Sequence, residues 1–208
     1  MNIIINPVKA IILACVLTGM SMASAQNRTE RTTELTPDAG ILGGMVPLKY
    51  IAVKTNLLYD AAAILNIAAE VGVNNHLSAE IPISWSFWDM ETDRGLRIVA
   101  LQPGIRYYLD RIGTGHAFGT DISLAWYNLK YRRHRYQDTG RPLLGLGINY
   151  SYTLPLTPNW KAEFLLGIGY FNTKYNTYYN ISDGARISTR VRNYFGPTRM
   201  GITLIYSL

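Results

Sequence analysis

The sequence predicts an all-β fold: an eight-stranded antiparallel transmembrane β-barrel of the outer-membrane type, behind a cleaved signal peptide and a flexible tether. Three observations predict it. Eight runs after residue 48 alternate large apolar with small or polar side chains, the period of a strand whose successive residues face opposite ways. The apolar parity carries aromatics near its ends while the other carries glycine and charge, which suits a greasy exterior around a crowded interior. The connections alternate short and long, as periplasmic turns and outer loops do. Each run also reaches the roughly 9–11 tilted residues that a bilayer requires.

The 208 residues allow one domain or two, and 15 Tyr with 18 Gly in a chain that is 48% hydrophobic favour β structure. The formal charge of +6 is spread along the chain instead of forming one basic tract. Lys9, the apolar run Ala10–Thr18 and Ala23-Ser24-Ala25 make a secretory signal peptide over residues 1–25. Ile12-Leu13-Ala14-Cys15 also fits a lipoprotein box, but cleavage there leaves an apolar core of only Ala10–Ala14. On the first reading the mature chain starts at Gln26 without a cysteine, so disulfide and thiol chemistry are excluded. Residues 26–48 read as a flexible periplasmic tether, with Pro37, Gly40, Gly43 and Gly44 and no sustained period. Residues 49–208 form the barrel domain.

Its runs follow in order. Lys49–Tyr59 sets Val53, Thr55 and Leu57 against Lys54 and Asn56; Ile64–Val73 sets Ile67, Ala69 and Val71 against Asn66, Ala68 and Glu70. Asn74-Asn75-His76 turns the chain into Leu77–Ser86, where Ile81, Ile83 and Trp85 oppose Glu80, Pro82 and Ser84. Phe87–Gly95 reads as an acidic loop before Leu96–Leu109, with Val99, Leu101, Ile105 and Tyr107 opposite Gln102, Gly104 and Arg106. Asp110–His116 is a turn, and Ala117–Leu129 sets Phe118, Ile122 and Trp126 against Asp121 and Ser123. Tyr131–Arg141 reads as a basic loop. Leu143–Thr153 and Trp160–Phe171 form a hairpin around Leu154–Asn159, with parity expected to slip after Phe171 through a bulge or an early exit. Asn172–Asn193 reads as a long polar loop before the last run, Tyr194–Leu208. Its Gly201–Tyr206 pattern of glycine and spaced hydrophobics resembles the terminal signal read by barrel assembly machinery.

Assigning the small parity to the interior encloses Lys54, Glu70, Glu80, Arg106, Asp121, Glu163 and Arg199, with Lys161 at the periplasmic end. So small a barrel leaves room only for side chains, so these charges are expected to pair, because an uncompensated buried charge is costly. The network reads either as a salt-bridged plug that fixes register or as a gated path. Glu70 with Glu80 would offer a carboxylate pair for acid–base chemistry, but no nucleophile with a positioned histidine accompanies it. His76, His116 and His134 have no metal-site spacing and read as solvated turn and loop residues. Arg132, Arg133 and Arg135, with Arg141, are the candidate outer-loop anion contacts: either bidentate partners for phosphate or an acidic glycan, or a solvated loop. No cofactor is implied, and export argues against nucleic acid. Asn180-Ile181-Ser182 fits a glycosylation pattern by chance.

Lys54-Thr55-Asn56-Leu57-Leu58-Tyr59-Asp60, Asn66 with Glu70, Gln102-Pro103 with Arg106-Tyr107, Gly167-x-Gly169-Tyr170 and Tyr194-Phe195-Gly196-Pro197-Thr198-Arg199 together resemble a Gram-negative family catalogued as domain of unknown function 3575. The resemblance runs from about residue 49 to 208; Arg199 stands where lysine is expected. It implies an outer-membrane barrel without known enzyme activity, relatives that accompany fimbrial or OmpA-like envelope components, and motif charges at Lys54, Glu70, Arg106 and Arg199.

The function expected is a non-enzymatic envelope scaffold or surface-interaction protein in the bacterial outer membrane, its basic loops contacting lipopolysaccharide, a glycan or a fimbrial partner. The alternatives are a narrow channel gated by lumenal ion pairs, whose conductance would rise on Arg106→Ala or Glu70→Ala, and a lipid-modifying barrel enzyme. A lipocalin-like soluble barrel is the rival fold; it would place Lys54, Glu70, Glu80, Arg106 and Asp121 outside.

Overall fold

The computed structural model describes residues 50–90, 94–181 and 183–208. The signal peptide, Cys15, the tether, Glu91, Asp93 and Ser182 lie outside the described residues.

Ten strands and one short helix follow the chain: β1 (Ile51–Asn56), α1 (Leu57–Ala61), β2 (Leu65–Gly72), β3 (Leu77–Met90), β4 (Arg94–Leu101), β5 (Gly104–Tyr108), β6 (Gly115–Tyr131), β7 (His134–Asp138), β8 (Leu143–Pro155), β9 (Trp160–Tyr179) and β10 (Arg186–Ser207). The strands form one antiparallel sheet in the order β10–β1–β2–β3–β4–β6–β7–β9–β8. β5 lies off this path between β3 and β6, and β9–β10 and β6–β8 pair as well. The first and last strands are neighbours, with Ala52 opposite Ser207 and Asn56 opposite Thr203.

The expected eight-stranded transmembrane barrel is corrected to this ten-stranded sheet, and the reasons are local. The fourth run breaks at Gln102-Pro103, since proline has no N–H for the ladder. Gln102 N still donates to Pro82 O and Ile122 N to Pro103 O, both at 3.0 Å, so β4 and β5 share the neighbours β3 and β6. The basic stretch 131–141 is no loop: Arg132, at φ +55°, turns β6 straight into β7. The polar stretch 172–193 is mostly strand, because β9 continues to Tyr179 and β10 begins at Arg186. Thr173, Tyr175 and Thr177 keep the inward parity of Lys161 and Glu163, so β9 neither slips nor exits; the register shifts lie in β10, between Arg186 and Ser188 and between Pro197 and Arg199. Residues 87–90 and 94–95 likewise extend β3 and β4. The first run ends early because Asn56 caps α1, its side chain accepting from Leu58 N at 3.1 Å.

The outer-membrane placement rests on a ring of eight strands of bilayer length. Strands that run from five residues in β7 to twenty-two in β10 do not supply that premise. The placement is corrected with it, and so are the envelope-scaffold, channel and lipid-modifying roles built on it. Among the described residues no helix is long and apolar enough to cross a membrane.

The two faces of the sheet differ sharply. Outward stand Ile67, Ile81, Ile105, Ile122, Leu146, Ile148, Phe164 and Leu166, with Ile148 64% exposed. The enclosed face holds Lys54, Glu70, Ser78, Arg106, Asn149, Ser151 and Glu163, all buried. Charges therefore lie inside and large apolar groups outside, and the lipocalin-like arrangement is excluded. Beyond Trp126, Tyr170 and Phe195 the outward face turns polar, with Asn128, Lys130, Gln137, Lys174 and Asn176 on β6, β7 and β9. There the enclosed face carries Leu96, Tyr127, Leu129, Thr173 and Tyr175 instead of ion pairs. We call this part the polar extension.

Candidate functional site

Strand alternation brings one charged residue from each of seven strands to the enclosed face: Lys54 (β1), Glu70 (β2), Glu80 (β3), Arg106 (β5), Asp121 (β6), Glu163 (β9) and Arg199 (β10). Register then gathers them, since Glu70 lies directly opposite Glu80 and Thr203, on the last strand, opposite Glu163. Lys54 is the hub. Its Nζ lies 2.7 Å from Glu70 Oε2, 3.3 Å from Glu163 Oε2 and 3.5 Å from Glu80 Oε2. Arg106 places Nε 3.0 Å from Glu80 Oε2 and donates through Nη1 to Glu163. Arg199 donates through Nη1 to Glu80 Oε1 and stands 4.0 Å from Asp121 Oδ1. Asp121 accepts from Asn149 Nδ2 at 2.8 Å.

Three cations face four carboxylates, and all but Arg199 are essentially excluded from solvent. Burial alone would raise the pKa of Glu80, but Arg106, Arg199 and Lys54 outweigh it and hold the carboxyl well below the usual range. Glu163 is lowered against its own burial by Arg106 and Lys54. For Lys54, burial and Arg106 favour the neutral amine, yet Glu163, Glu70 and Glu80 prevail and the pKa rises. Glu70 also accepts from Ser78 Oγ at 2.5 Å and from the Tyr108 phenol at 2.8 Å. Burial, then the Glu70 charge, pushes that phenol up, so it remains a donor.

This arrangement leaves little for chemistry. The space among Lys54, Glu80, Arg106, Glu163 and Arg199 is about 30 Å³, room for one or two waters. Glu70 and Glu80, expected as a possible acid–base pair, are each held by cations or hydroxyls. Among the described residues no group of three or more His, Cys, Asp or Glu could hold a metal ion.

Of the expected anion contacts, Arg132 and Arg133 stand exposed at the β6–β7 turn. Arg135 instead packs its guanidinium 4.9 Å over the Tyr178 ring, its partner in register, and Arg141 donates to Asn172. The long strands add Lys174, Arg186, Arg190 and Arg192, exposed on the same extension, where reading 172–193 as a loop hid their common placement. None of these six exposed cations forms an ion pair among the described residues, whereas Lys130 and Arg97 are held by Asp89. Two of the three histidines are not simply solvated: His76 Nδ1 lies 3.0 Å from Tyr108 O and His116 Nδ1 2.7 Å from the Tyr150 hydroxyl, while His134 stands exposed beside the Tyr136 ring.

Sequence reasoning missed Tyr108, Ser78 and Asn149 as partners of the cluster. All three share the inward parity of Arg106, Glu80 and Gly147, so the alternation itself carried the signal.

No curated protein and no solved structure matches the chain. A family model does, over residues 14–208. The chain therefore belongs to the family described as protein of unknown function, DUF3575.

Proposed function

We propose that the protein is a non-enzymatic binding protein that presents the cations of its polar extension to an anionic, phosphate-bearing glycan. The carrying observation is the contrast in how charge is satisfied. Every cation of the enclosed cluster meets a carboxylate, whereas Arg132, Arg133, Lys174, Arg186, Arg190 and Arg192 stand exposed without an ion pair among the described residues. Arginine suits this partner because its planar fork matches phosphate oxygens two at a time. The extension is also a firm platform: Arg190 lies opposite Tyr175 and Arg192 opposite Thr173, so Lys174, Arg186, Arg190 and Arg192 sit on paired strands, and Arg132 and Arg133 on the tight turn between β6 and β7. That each interior carboxylate already has a cation within 4.0 Å supports the non-enzymatic part of this reading.

The test is binding to phosphorylated lipopolysaccharide against its dephosphorylated form, at two salt concentrations. Wild-type protein should prefer the phosphorylated form and lose affinity as salt rises. Arg132→Gln with Arg133→Gln should remove most of that preference. Equal binding of both forms, or no loss in the double variant, would refute the proposal.

A further inference from the structure

At the opposite end from the polar extension, the turns after β2, β5 and β8 enclose a cleft of about 510 Å³. Its lining includes Tyr50, Asn74, Arg111, Thr114, Thr157 and Lys161, and no carboxylate. Lys161 is only 8% exposed, yet its Nζ makes no hydrogen bond or ion pair among the described residues. Among the described residues it stands over the Tyr50 ring, 4.8 Å from the centroid. The Tyr50 hydroxyl is itself buried without a hydrogen-bond partner. The Lys161 ammonium opens onto the cleft without an acceptor and the buried Tyr50 phenol lacks one, which is costly; a bound acceptor would serve both.

The turn backbone keeps these two groups clear. Gly113 adopts φ +74°, and a Cβ there would stand 2.5 Å from Lys161 Nζ and 2.8 Å from the Tyr50 hydroxyl. A glycine thus permits the close approach and the positive φ together. Arg111 adds an exposed guanidinium at the edge of the cleft. The carboxylate whose field reaches Lys161 is Glu70, and it is already engaged by Lys54, Ser78 and Tyr108.

We propose that this cleft binds a small oxyanion, a phosphate or carboxylate group, between the Lys161 ammonium, the Arg111 guanidinium and the Tyr50 phenol. Lys161 forms the floor, Tyr50 donates its hydroxyl, and Arg111 supplies the second positive charge from the edge. The site is independent of the cations of the polar extension. Charge at Lys161 also sets the pH behaviour. Burial, then Arg111 and Lys54, lower the amine pKa against the pull of Glu70. Affinity should therefore fall as pH rises through that lowered value, while the Tyr50 phenol, pushed up by burial, stays protonated.

The experiment titrates the full-length protein with inorganic phosphate and, separately, with acetate. The lysine side-chain NMR signals and the heat of binding are followed. Saturable binding of either anion with a shift of the Lys161 signal is expected, weakening at alkaline pH. Lys161→Met should weaken it at least about tenfold, the scale of a charged hydrogen bond. Lys161→Arg should retain it. Should Lys161→Met fail to fold, the wild-type NMR titration decides alone. No saturable shift with either anion, or binding that survives in folded Lys161→Met protein, would overturn the site.

Discussion

The ion-pair cluster and the polar extension share the strands β6, β9 and β10, yet they fill an enclosed face in opposite ways. In the cluster, seven charged side chains pair with one another, three carboxylates of them around Lys54, and the outward face is apolar. In the extension, uncharged groups line the enclosed face on β6, β7 and β9: the Tyr127 hydroxyl meets Thr173 Oγ1 at 2.9 Å, and Tyr136 packs edge-on to Tyr175, while Arg190 and Arg192 of β10 share that parity yet stand exposed. Its cations face solvent. Placement within one continuous β9 thus decides whether a charge is structural or available. Buried ion pairs are poor sources of net stability but costly to break on one side, so the cluster fixes which registers are tolerated. A slip of one residue would turn these seven charges outward and the outward isoleucines inward.

The sharpest way to break this comparison is to remove the hub. Lys54→Met should destabilise the fold by about 3–5 kcal/mol, since it leaves Glu70 without its cation, and denaturant unfolding would measure it. The same substitution should spare phosphorylated-glycan binding per folded molecule. A smaller effect is expected where the enclosed face is tightest. A Cβ at Gly169 would meet Leu146 O at 2.1 Å and Gly147 Cα at 2.6 Å, backbone atoms that cannot step aside. Gly169→Ala should cost roughly 1–3 kcal/mol by overpacking, read as a lowered Tm.

Acid sharpens the contrast further. Glu80 and Glu163 have folded pKa values below their unfolded ones, so their contribution is fully present above the ordinary carboxylate value of about 4. It is lost as pH falls through the lowered folded values. Unfolding free energy measured from pH 7 downward should hold to about pH 5 and fall below about pH 4. In the extension, Arg190→Gln with Arg192→Gln should change stability by less than about 0.5 kcal/mol, as exposed substitutions do, while weakening anion binding.

Much of the charged interior was legible in the alternation. The small parity assigned Lys54, Glu70, Glu80, Arg106, Asp121, Glu163 and Arg199 to one face, and the structure gathers those residues. The architecture was less legible. Counting apolar runs missed strands whose outward side chains are polar, as in Asn172–Tyr179, where Lys174 and Asn176 remove the amphipathic signal although Thr173 and Tyr175 keep the parity. The count also treated Leu96–Leu109 as one run, although Pro103 had already signalled a break. The anion contacts were half legible: Arg132 and Arg133 fall at a turn, but Arg135 is taken up by Tyr178, a partner 43 positions along the chain that only pairing reveals. The cleft around Lys161 was not legible at all, because three separate turns must meet to form it.

The measurement that tests the central claim most directly is the thermal unfolding of Lys54→Met beside wild type, with glycan binding assayed on the same folded samples. The account predicts a large fall in Tm with unchanged affinity. An unchanged Tm, or binding lost while the fold survives, would show that the enclosed charges serve the ligand and not the fold.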